Sequence, residues 1–571
     1  MKTIIFTFVF SLIFTKIFAK DSTQNKVDSV KIKVDSVKII EPKLIVSGDL
    51  TISTGYYKMS GLDAPRGQFN PYGISGKLML KSKNWIVPIS MIYSSQNNSF
   101  RQPFNQVGSS PLYKNWLVLH GGYRNVYFSP FTLAGHTFLG SGIELNPKKF
   151  RFGFIYGKFN RAIEGNFAEP DRIPFFKRTG FASRIGVGTK INYLDLIVLK
   201  VADDVNSISL SPDYQYIKPA ENLALGISAR LKIKKKFIFE LDGSASAFTR
   251  DIRTEAIGEF VNIRFYDAIK KVFIPRVSTQ LSTAFQSAIA YKSKIFSGKI
   301  QYKRIEPEFK TMGAYYFQND IESYTFNPNL SLFKSKLKLN TSIGLQHDNL
   351  LNQKKVETNR LIGSAAIVYA PNENFSMDLL FSNYGITQKA GYLPLIDTLK
   401  IAQNNKTLSL NSMYMKIGES NMQTFMVSAI YQELQDLNSR TAIFNENQNW
   451  NYNASYSFQN LISNLDFSLN YSYTLTKSID IESVFHGPTC SISKLFLKNN
   501  NLTLRSNFGF MLSKQTILDF QEKGNVLNLS SDISYTFFKK HTLLLNWSLI
   551  KNKGLQNFSE NRGTIEYNLT F

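Results

Sequence analysis

The chain has almost no cysteine and no long apolar stretch after its first residues. Cys490 is the only cysteine among 571 residues, so no disulfide can form within the chain. A lipoprotein would need a cysteine directly after its signal, and we therefore expect no lipid anchor. After the N-terminal run, no stretch approaches the roughly 18 consecutive apolar residues that a membrane-spanning helix requires. Helical membrane spans are therefore excluded.

Residues that would carry catalysis or bind a metal are also sparse. The five histidines are far apart in the sequence: His120, His136, His347, His486 and His541. A zinc site would need three or four converging ligands, and no GxSxG-like motif points to a hydrolase. Carboxylate pairs such as Glu240 with Asp242, and Glu306 with Glu308, are expected among the charges that line a water-filled pore. We predict no enzyme, no metal site and no cofactor.

Acidic residues are too few to balance the basic ones, and the net charge is +25. Such an excess is typical of nucleic-acid-binding proteins, but here no basic helix or recognised nucleic-acid-binding fold accompanies it. The lysines lie in turns, as at Lys148 and Lys149 and again at Lys539 and Lys540. In turns they would face water or anionic lipid head groups. We expect outer-membrane lipid, and not nucleic acid, as the partner of this charge.

The N-terminus has the form of a secretory signal. Lys2 precedes an apolar run, and Ala19 could end a cleavable peptide at residues 1–19. Residues 20–43 form a short linker in which KVDSVKI occurs twice, at 26–32 and 33–39. The repeat is interpreted as an extended linker, with a partner-binding tether as the alternative. This linker is too short for a plug domain.

From residue 44 onward, apolar and polar residues alternate with period two. Leu465, Phe467, Leu469, Tyr471, Tyr473 and Leu475 alternate with Asp466, Ser468, Asn470, Ser472, Thr474 and Thr476. This pattern indicates strands with one face in lipid and the other in a polar lumen. Soluble β-sandwiches also alternate, so the pattern does not decide between the two folds.

The lengths of the connections between strands decide between a transmembrane barrel and a soluble sandwich. Long connections at 163–178, 204–221, 250–277, 304–323 and 348–359 are separated by short turns at 192–193, 234–236, 293–295, 333–336 and 371–374. Further short turns follow at 416–420, 459–463, 497–501 and 539–540. Outer-membrane barrels have short periplasmic turns and long extracellular loops. We therefore predict an all-β fold, a large antiparallel transmembrane β-barrel over 44–571 without a separate plug domain, located in the outer membrane of a Gram-negative cell.

The number of strands depends on residues 113–146. Because long loops and short turns alternate along the chain, an odd number of strands must lie between the long loop at 97–112 and the short turn at 146–149. One strand gives a barrel of 24 strands and three give 26, both even numbers as such barrels use. The stretch contains Pro130 and several glycines, which permit bends and close backbone contacts. We expect part of it to fold into the lumen or to cap one mouth of the barrel, with an irregular extracellular hairpin as the alternative.

Two sets of residues have specific roles in this barrel. The three-residue turn at 234–236 places Arg230 opposite Glu240 as a cross-strand pair facing the lumen. The final strand carries Ile565, Tyr567, Leu569 and Phe571 on one face, and its terminal aromatic has the form of a β-signal. We expect the barrel-insertion machinery to recognise that signal.

Several segments resemble an uncharacterised family of outer-membrane β-barrel proteins from Bacteroidota. They are FRQPFNQ at 100–106, FSPFTLAGHTFLGSGIELNP at 128–147, PAENLALG at 219–226, RIEPEFKTMGAYYFQND at 304–320 and GLQHDNL at 344–350. The resemblance implies an outer-membrane location and a barrel, and it implies no activity or site residues.

The predicted width bears on function. A barrel of about 24 strands is wider than porins of 16 to 18 strands, which already enclose a water-filled channel. The assigned lumen residues are mostly small, so inward-folded loops at 113–146 or 250–277, or a partner protein, must close the space. We expect a transport conduit, either a gated channel or a component of an export or assembly complex. The alternative is a structural or surface-interaction barrel, an adhesin or scaffold that acts through its long loops.

Overall fold

The computed structural model describes the chain from residue 44 to its end, with short gaps. The described residues are 44–95, 105–165, 173–257, 272–314, 319–390, 401–438, 442–497, 499, 501–554 and 556–571. The predicted signal peptide at 1–19 and the linker at 20–43 lie outside them.

Strands dominate the described residues. In chain order they are β1 Ile45–Ser60, β2 Tyr72–Lys81, β3 Trp85–Ser94, β4 Gln106–Ser109, β5 Leu112–Tyr113, β6 Leu117–Tyr127, β7 Ala134–Leu145, β8 Phe150–Asn160, β9 Arg178–Gly188, β10 Tyr193–Asp203, β11 Glu221–Ile233, β12 Phe237–Thr249, β13 Thr279–Lys292, β14 Phe296–Ile305, β15 Ile321–Leu332, β16 Leu337–His347, β17 Val356–Tyr369, β18 Phe375–Ala390, β19 Ala402–Ile417, β20 Asn421–Asp436, β21 Asn447–Asn460, β22 Leu465–Ser478, β23 Ile481–Phe496, β24 Leu502–Ile517, β25 Phe520–Phe537, β26 His541–Lys553 and β27 Phe558–Thr570.

Helical structure is limited to single turns in the described part of the chain. Pro212–Tyr214 and Phe333–Ser335 are 3-10 turns, and Ala442–Asn445 is one turn of α-helix. None of the described helices has the length and apolar character needed to cross a membrane.

The sheet closes on itself. Successive strands pair antiparallel, and β1 also pairs with β27 from Asp49 opposite Thr570 to Ser60 opposite Ser559. The backbone of Phe571 extends this seam, because its N–H donates to the Gly48 carbonyl at 3.0 Å and its carbonyl accepts from the Gly48 N–H at 2.8 Å. Closure removes the exposed edges that an open sheet would present to lipid. The predicted all-β antiparallel barrel is confirmed.

The barrel has 26 strand positions in the described residues. The short strands β4 and β5 share one position between β3 and β6, because each pairs with both of those neighbours. The stretch 113–146 was expected to hold one strand or three beyond a long loop at 97–112. In the structure, β4 and β5 already occupy part of that loop. Lys114 and Asn115 then make a tight left-handed turn, with φ angles of 44° and 63°, into β6.

Successive side chains along each strand point to opposite faces of the sheet, and this alternation determines which of them face lipid. In β10, Leu194 and Leu196 are exposed on the outer surface, whereas Asp195, Ile197 and Leu199 are buried on the inner surface. Outside a membrane such an apolar exterior would be exposed to water around the whole barrel. A closed barrel of this kind can span a bilayer because its strands pair their backbone groups with one another. The protein is an integral outer-membrane barrel.

Candidate functional site

Two segments enter the lumen from the extracellular end. The first inward segment, residues 128–133, connects β6 to β7, and the second inward segment, residues 306–314, follows β14. Phe131, Thr132 and Leu133 are at most 1% exposed, although they lie in a connection between strands. Both segments contact side chains that alternation places on the inner wall. The lumen is therefore partly filled by the chain itself.

The first inward segment crosses the inner wall over β8 to β15. The Phe128 ring lies 5.0 Å from the guanidinium carbon of Arg184, and the same ring covers Gly153. Leu133 packs with Leu199 and Ile155 in an apolar cluster that faces the lumen. This burial holds the segment against the wall, because each fully buried aliphatic or aromatic side chain contributes roughly 1.5–3 kcal/mol.

The second inward segment is fixed by hydrogen bonds to the same wall. Asn222, fully buried on β11, accepts a hydrogen bond from the Met312 N–H at 3.1 Å and donates to Ser246 at 2.7 Å. Ser246 in turn donates to the Lys310 carbonyl at 2.6 Å. Phe309 meets Phe131 edge-to-face at 6.2 Å. The segment's polar backbone is therefore satisfied although it is buried.

The two inward segments are joined to each other. The Thr311 hydroxyl donates to the Thr132 carbonyl at 2.8 Å, and the Ala134 N–H donates to the Gly313 carbonyl at 2.8 Å. A Cβ atom at position 313 would lie 2.3 Å from the Thr132 carbonyl oxygen, so only glycine fits there. The two segments form one internal constriction.

The second inward segment is anchored just before β15 begins. The Asp320 carboxylate accepts hydrogen bonds from the backbone N–H groups of Asn349 at 3.1 Å and Leu350 at 2.9 Å, and it forms an ion pair with Lys354. Burial by itself would raise the pKa of Asp320. The Lys354 ammonium and the two N–H donors outweigh that effect, and the pKa is lowered. The carboxylate therefore links the 348–355 connection to the inward segment.

A buried charge network lies beside the constriction on the inner wall. Arg151 binds Asp195 through two hydrogen bonds of 2.7 and 2.8 Å. Arg184 donates to Glu144 at 2.9 Å, and His120 lies 3.2 Å from the same carboxylate. The Phe128 ring covers Arg184 at 5.0 Å, and the Tyr193 ring covers Arg151 at 4.4 Å. Charges shielded from water in this way need charge-assisted hydrogen bonds to offset the lost hydration.

The lumen pair identified from the sequence lies on the open part of the wall. Arg230 on β11 is opposite Glu240 on β12, and the Arg230 Nε lies 3.5 Å from a Glu240 oxygen. Lys299 on β14 approaches the other Glu240 oxygen at 3.1 Å. The side chains of Arg230 and Glu240 are 39% and 35% exposed, so water screens the pair.

The four residues of the proposed β-signal lie on β27 and directly after it. Ile565, Tyr567 and Leu569 face outward, opposite Thr54, Ile52 and Leu50 of β1. The C-terminal strand is thus one side of the seam that closes the barrel.

The sequence did not identify 306–314 as an inward segment. Its signal was two large apolar residues in a predicted loop, Phe309 and Met312, followed by Gly313.

Of the two loops expected to close the lumen, 113–146 supplies the first inward segment. In the described residues of 250–277, Arg250 donates to Glu308 of the second inward segment at 3.1 Å. Phe273 lies over Lys200, whose side chain is on the outer face of β10.

The opposite wall has a polar inner surface. A recess of about 420 Å³ at β21 to β25 is lined by hydroxyl, amide and charged groups. Arg505 faces Asp532 across this surface, with Ser493 on the other side.

Within the described residues, no group of three or more His, Cys, Asp or Glu side chains could hold a metal ion.

The fold and the lumen define a class: an outer-membrane β-barrel of 26 strands with an internal constriction on one side and a polar wall on the other. Three solved structures are similar to it. OccAB2 of Acinetobacter baumannii is 12% identical with a TM-score of 0.28, and the match covers 63% of this chain and 94% of OccAB2.

OpdQ of Pseudomonas aeruginosa is 10% identical with a TM-score of 0.29, covering 92% of this chain and 98% of OpdQ. The outer membrane protein OpdK of Pseudomonas aeruginosa is also 10% identical, with a TM-score of 0.29, covering 62% of this chain and 93% of OpdK. TM-scores this low carry no argument about function. No protein-family model matches the chain, and the search of curated proteins found no match.

Proposed function

We propose that the protein is a non-enzymatic transport channel of the outer membrane, gated or narrowed by its own inward segments. The observation that carries this proposal is the one-sided filling of the lumen. The inward segments cover inner-wall residues of β8 to β15, such as Gly153, Asn222 and Ala284. Across from them, β21 to β25 present hydroxyl, amide and charged groups to the lumen. A polar wall facing a constriction is what a water-filled path requires.

Single-channel recording in planar bilayers tests this proposal. The wild-type protein should give discrete current steps. Gly313→Val should enlarge them or lengthen the open time, because a side chain at 313 collides with the Thr132 carbonyl oxygen and separates the two inward segments. Gly363→Val is the matched control, because its Cβ meets its nearest atom at 3.7 Å on the outer face of β17.

Currents no larger than those of an empty bilayer, in both the wild type and Gly313→Val, would remove the channel proposal. Folding of each variant is checked independently by its heat-modifiable gel mobility. Unchanged currents in Gly313→Val would leave a channel whose constriction lies elsewhere.

The channel could work alone or as a component of an export or assembly complex. Copurification in mild detergent separates these cases, because a stoichiometric protein partner would identify the complex and would supply further closure of the lumen. The alternative of an adhesin or scaffold gains no support from the constriction, since a barrel that acts only through surface loops has no need of one.

A further inference from the structure

A row of four hydrogen-bond donors crosses the inner wall from β14 to β17. Lys303 on β14 is opposite Ser323 on β15. Gln346 on β16 is opposite Ser323, and Arg360 on β17 is opposite Gln346. Directly opposed residues of an antiparallel sheet lie on one face, as do residues two apart along a strand. Ile305, two residues after Lys303, packs against the inward segments, so the whole row faces the lumen.

The row begins at the edge of the constriction. β14 runs from the short turn at 293–295 toward the extracellular side, and the second inward segment starts directly after it. Lys303 therefore lies on the periplasmic side of that segment. The apolar contacts of the inward segments with the inner wall reach β15, so Gln346 and Arg360 lie beside the constriction on the open wall. A solute that moves past the constriction there passes this row.

No acid neutralises the two cations of the row. Lys299, on the same strand and the same face, lies 3.1 Å from a Glu240 oxygen. Within the part of the chain that the structure describes, no carboxylate forms an ion pair with Lys303 or Arg360. Both residues are partly exposed. The two charges are therefore accessible from the lumen and have no counter-ion on the wall.

The surrounding wall also has a surplus of positive charge. Over β11 to β17, the acids on this face are Glu240 and Asp242. Glu240 is shared by Arg230 and Lys299, and Asp242 accepts a hydrogen bond from Gln286 at 2.9 Å. The basic residues on the same face are Arg230, Lys232, Lys292, Lys299, Lys303, Lys338 and Arg360.

The wall across the lumen does not share this surplus. On the inner face of β21 to β25, Arg505 is opposite Asp532, and Asp466 and Glu522 add two further acids. The uncompensated positive charge is therefore confined to the wall beside and below the constriction. A local surplus of this kind attracts anions from solution, and low-dielectric walls strengthen the attraction.

We propose that the row of Lys303, Ser323, Gln346 and Arg360 binds small solutes that carry carboxylate or phosphate groups, and that it makes the channel anion-selective. The inference rests on the proposed transport function and specifies its substrate class. The ammonium and guanidinium groups donate charge-assisted hydrogen bonds, which are roughly twice as strong as neutral ones. The hydroxyl and the amide between them supply neutral donors. Pores that select anions or phosphate use Arg and Lys side chains in the same way.

Equilibrium dialysis of the folded full-length protein with radiolabelled inorganic phosphate tests the site. It is performed at about 0.15 M salt, which screens the exposed lysines of the turns. Lys303→Gln and Arg360→Gln should each weaken phosphate binding by about tenfold, the effect of losing one charge-assisted hydrogen bond. Lys494→Gln is the matched control and should bind as the wild type does, because Lys494 is exposed on the outer face of β23. Succinate should displace the phosphate, and glucose should not.

Reversal potentials in planar bilayers under a KCl gradient test the selectivity. The wild type should favour chloride, and the double variant Lys303→Glu with Arg360→Glu should favour potassium. Lys494→Glu should leave the reversal potential unchanged. Heat-modifiable gel mobility checks that each variant is folded.

The two measurements separate the failure of the site from the failure of the channel. Equal phosphate binding by the wild type and both Gln variants would overturn the site, even in a protein that conducts. Displacement by glucose would overturn the charge chemistry. Phosphate binding that is lost in Lys303→Gln and Arg360→Gln, in a protein that passes no current, would support the site and count against the channel.

Discussion

At the scale of single residues, burial separates the charged pairs that determine stability from those that do not. Arg151 and Asp195 are 9% and 1% exposed, with two short hydrogen bonds between them. Arg230 and Glu240 are more than one third exposed and 3.5 Å apart. Both pairs face the lumen, but only the first is largely shielded from water, with the Tyr193 ring 4.4 Å from the Arg151 guanidinium carbon.

Removing the buried carboxylate should destabilise the barrel strongly. Asp195→Ala leaves the Arg151 guanidinium buried without its partner, and such a loss costs about 3–5 kcal/mol of the free energy of unfolding. Glu240→Gln should cost less than about 1 kcal/mol, because water screens that exposed pair. Urea unfolding of detergent-folded protein, followed by tryptophan fluorescence, measures both. Similar losses in the two variants would mean that water reaches the Arg151 guanidinium and screens this pair as well.

Asp320 makes the anchor of the second inward segment sensitive to pH. Its pKa is lowered in the folded protein, so its stabilising contribution is fully present above the unfolded-state pKa of about 3.9. That contribution is lost as the pH falls below this value and through the folded pKa. Proteolysis in the 348–355 connection should therefore accelerate below about pH 4. Asp320→Asn should show rapid cleavage already at neutral pH, and a pH-independent rate in the wild type would contradict the prediction.

At the scale of elements, alternation predicted most strands and turns from local sequence. The turn at 234–236 and the register of β11 on β12 follow from an odd loop length between two apolar faces. The sequence was less informative where a strand is short and broken. Strands β4 and β5 contain only four residues and two residues, too few for alternation to be recognised.

The last strand has two roles that one variant can separate. Deleting Phe571 removes two hydrogen bonds to Gly48 at the seam and the terminal aromatic of the proposed β-signal. We expect the amount of folded protein in the outer membrane to fall several-fold. The unfolding midpoint of the protein that does fold should change little, because the rest of the seam, from Asp49 to Ser60, remains paired.

Phe571→Tyr is the control, since it keeps both the backbone hydrogen bonds and the aromatic ring. Membrane fractionation with heat-modifiable mobility gives the folded amount. A large drop in the unfolding midpoint without a change in the folded amount would assign Phe571 to seam stability and not to a β-signal.

At the scale of the whole molecule, closure is a property of all strands together. The seam between β1 and β27 joins residues about 500 positions apart in sequence, and the Tyr57 hydroxyl donates to Glu560 across it at 2.6 Å. The alternation of long loops and short turns restricted the number of strands to an even value, 24 or 26. Only the pairing of β4 and β5 with both β3 and β6 selected 26.

Sequence alone determined the fold class, because alternation and connection length are local and each strand repeats them. It also placed Arg230 opposite Glu240, since an odd turn sets the register. Only the tertiary structure decided what fills the lumen. The contact between Thr132 and Thr311 joins segments 179 residues apart, and the glycine at 313 is required only when the first inward segment lies against it. Contacts at such separation leave no periodic pattern in the chain, because they depend on how the wall curves to bring the two segments together.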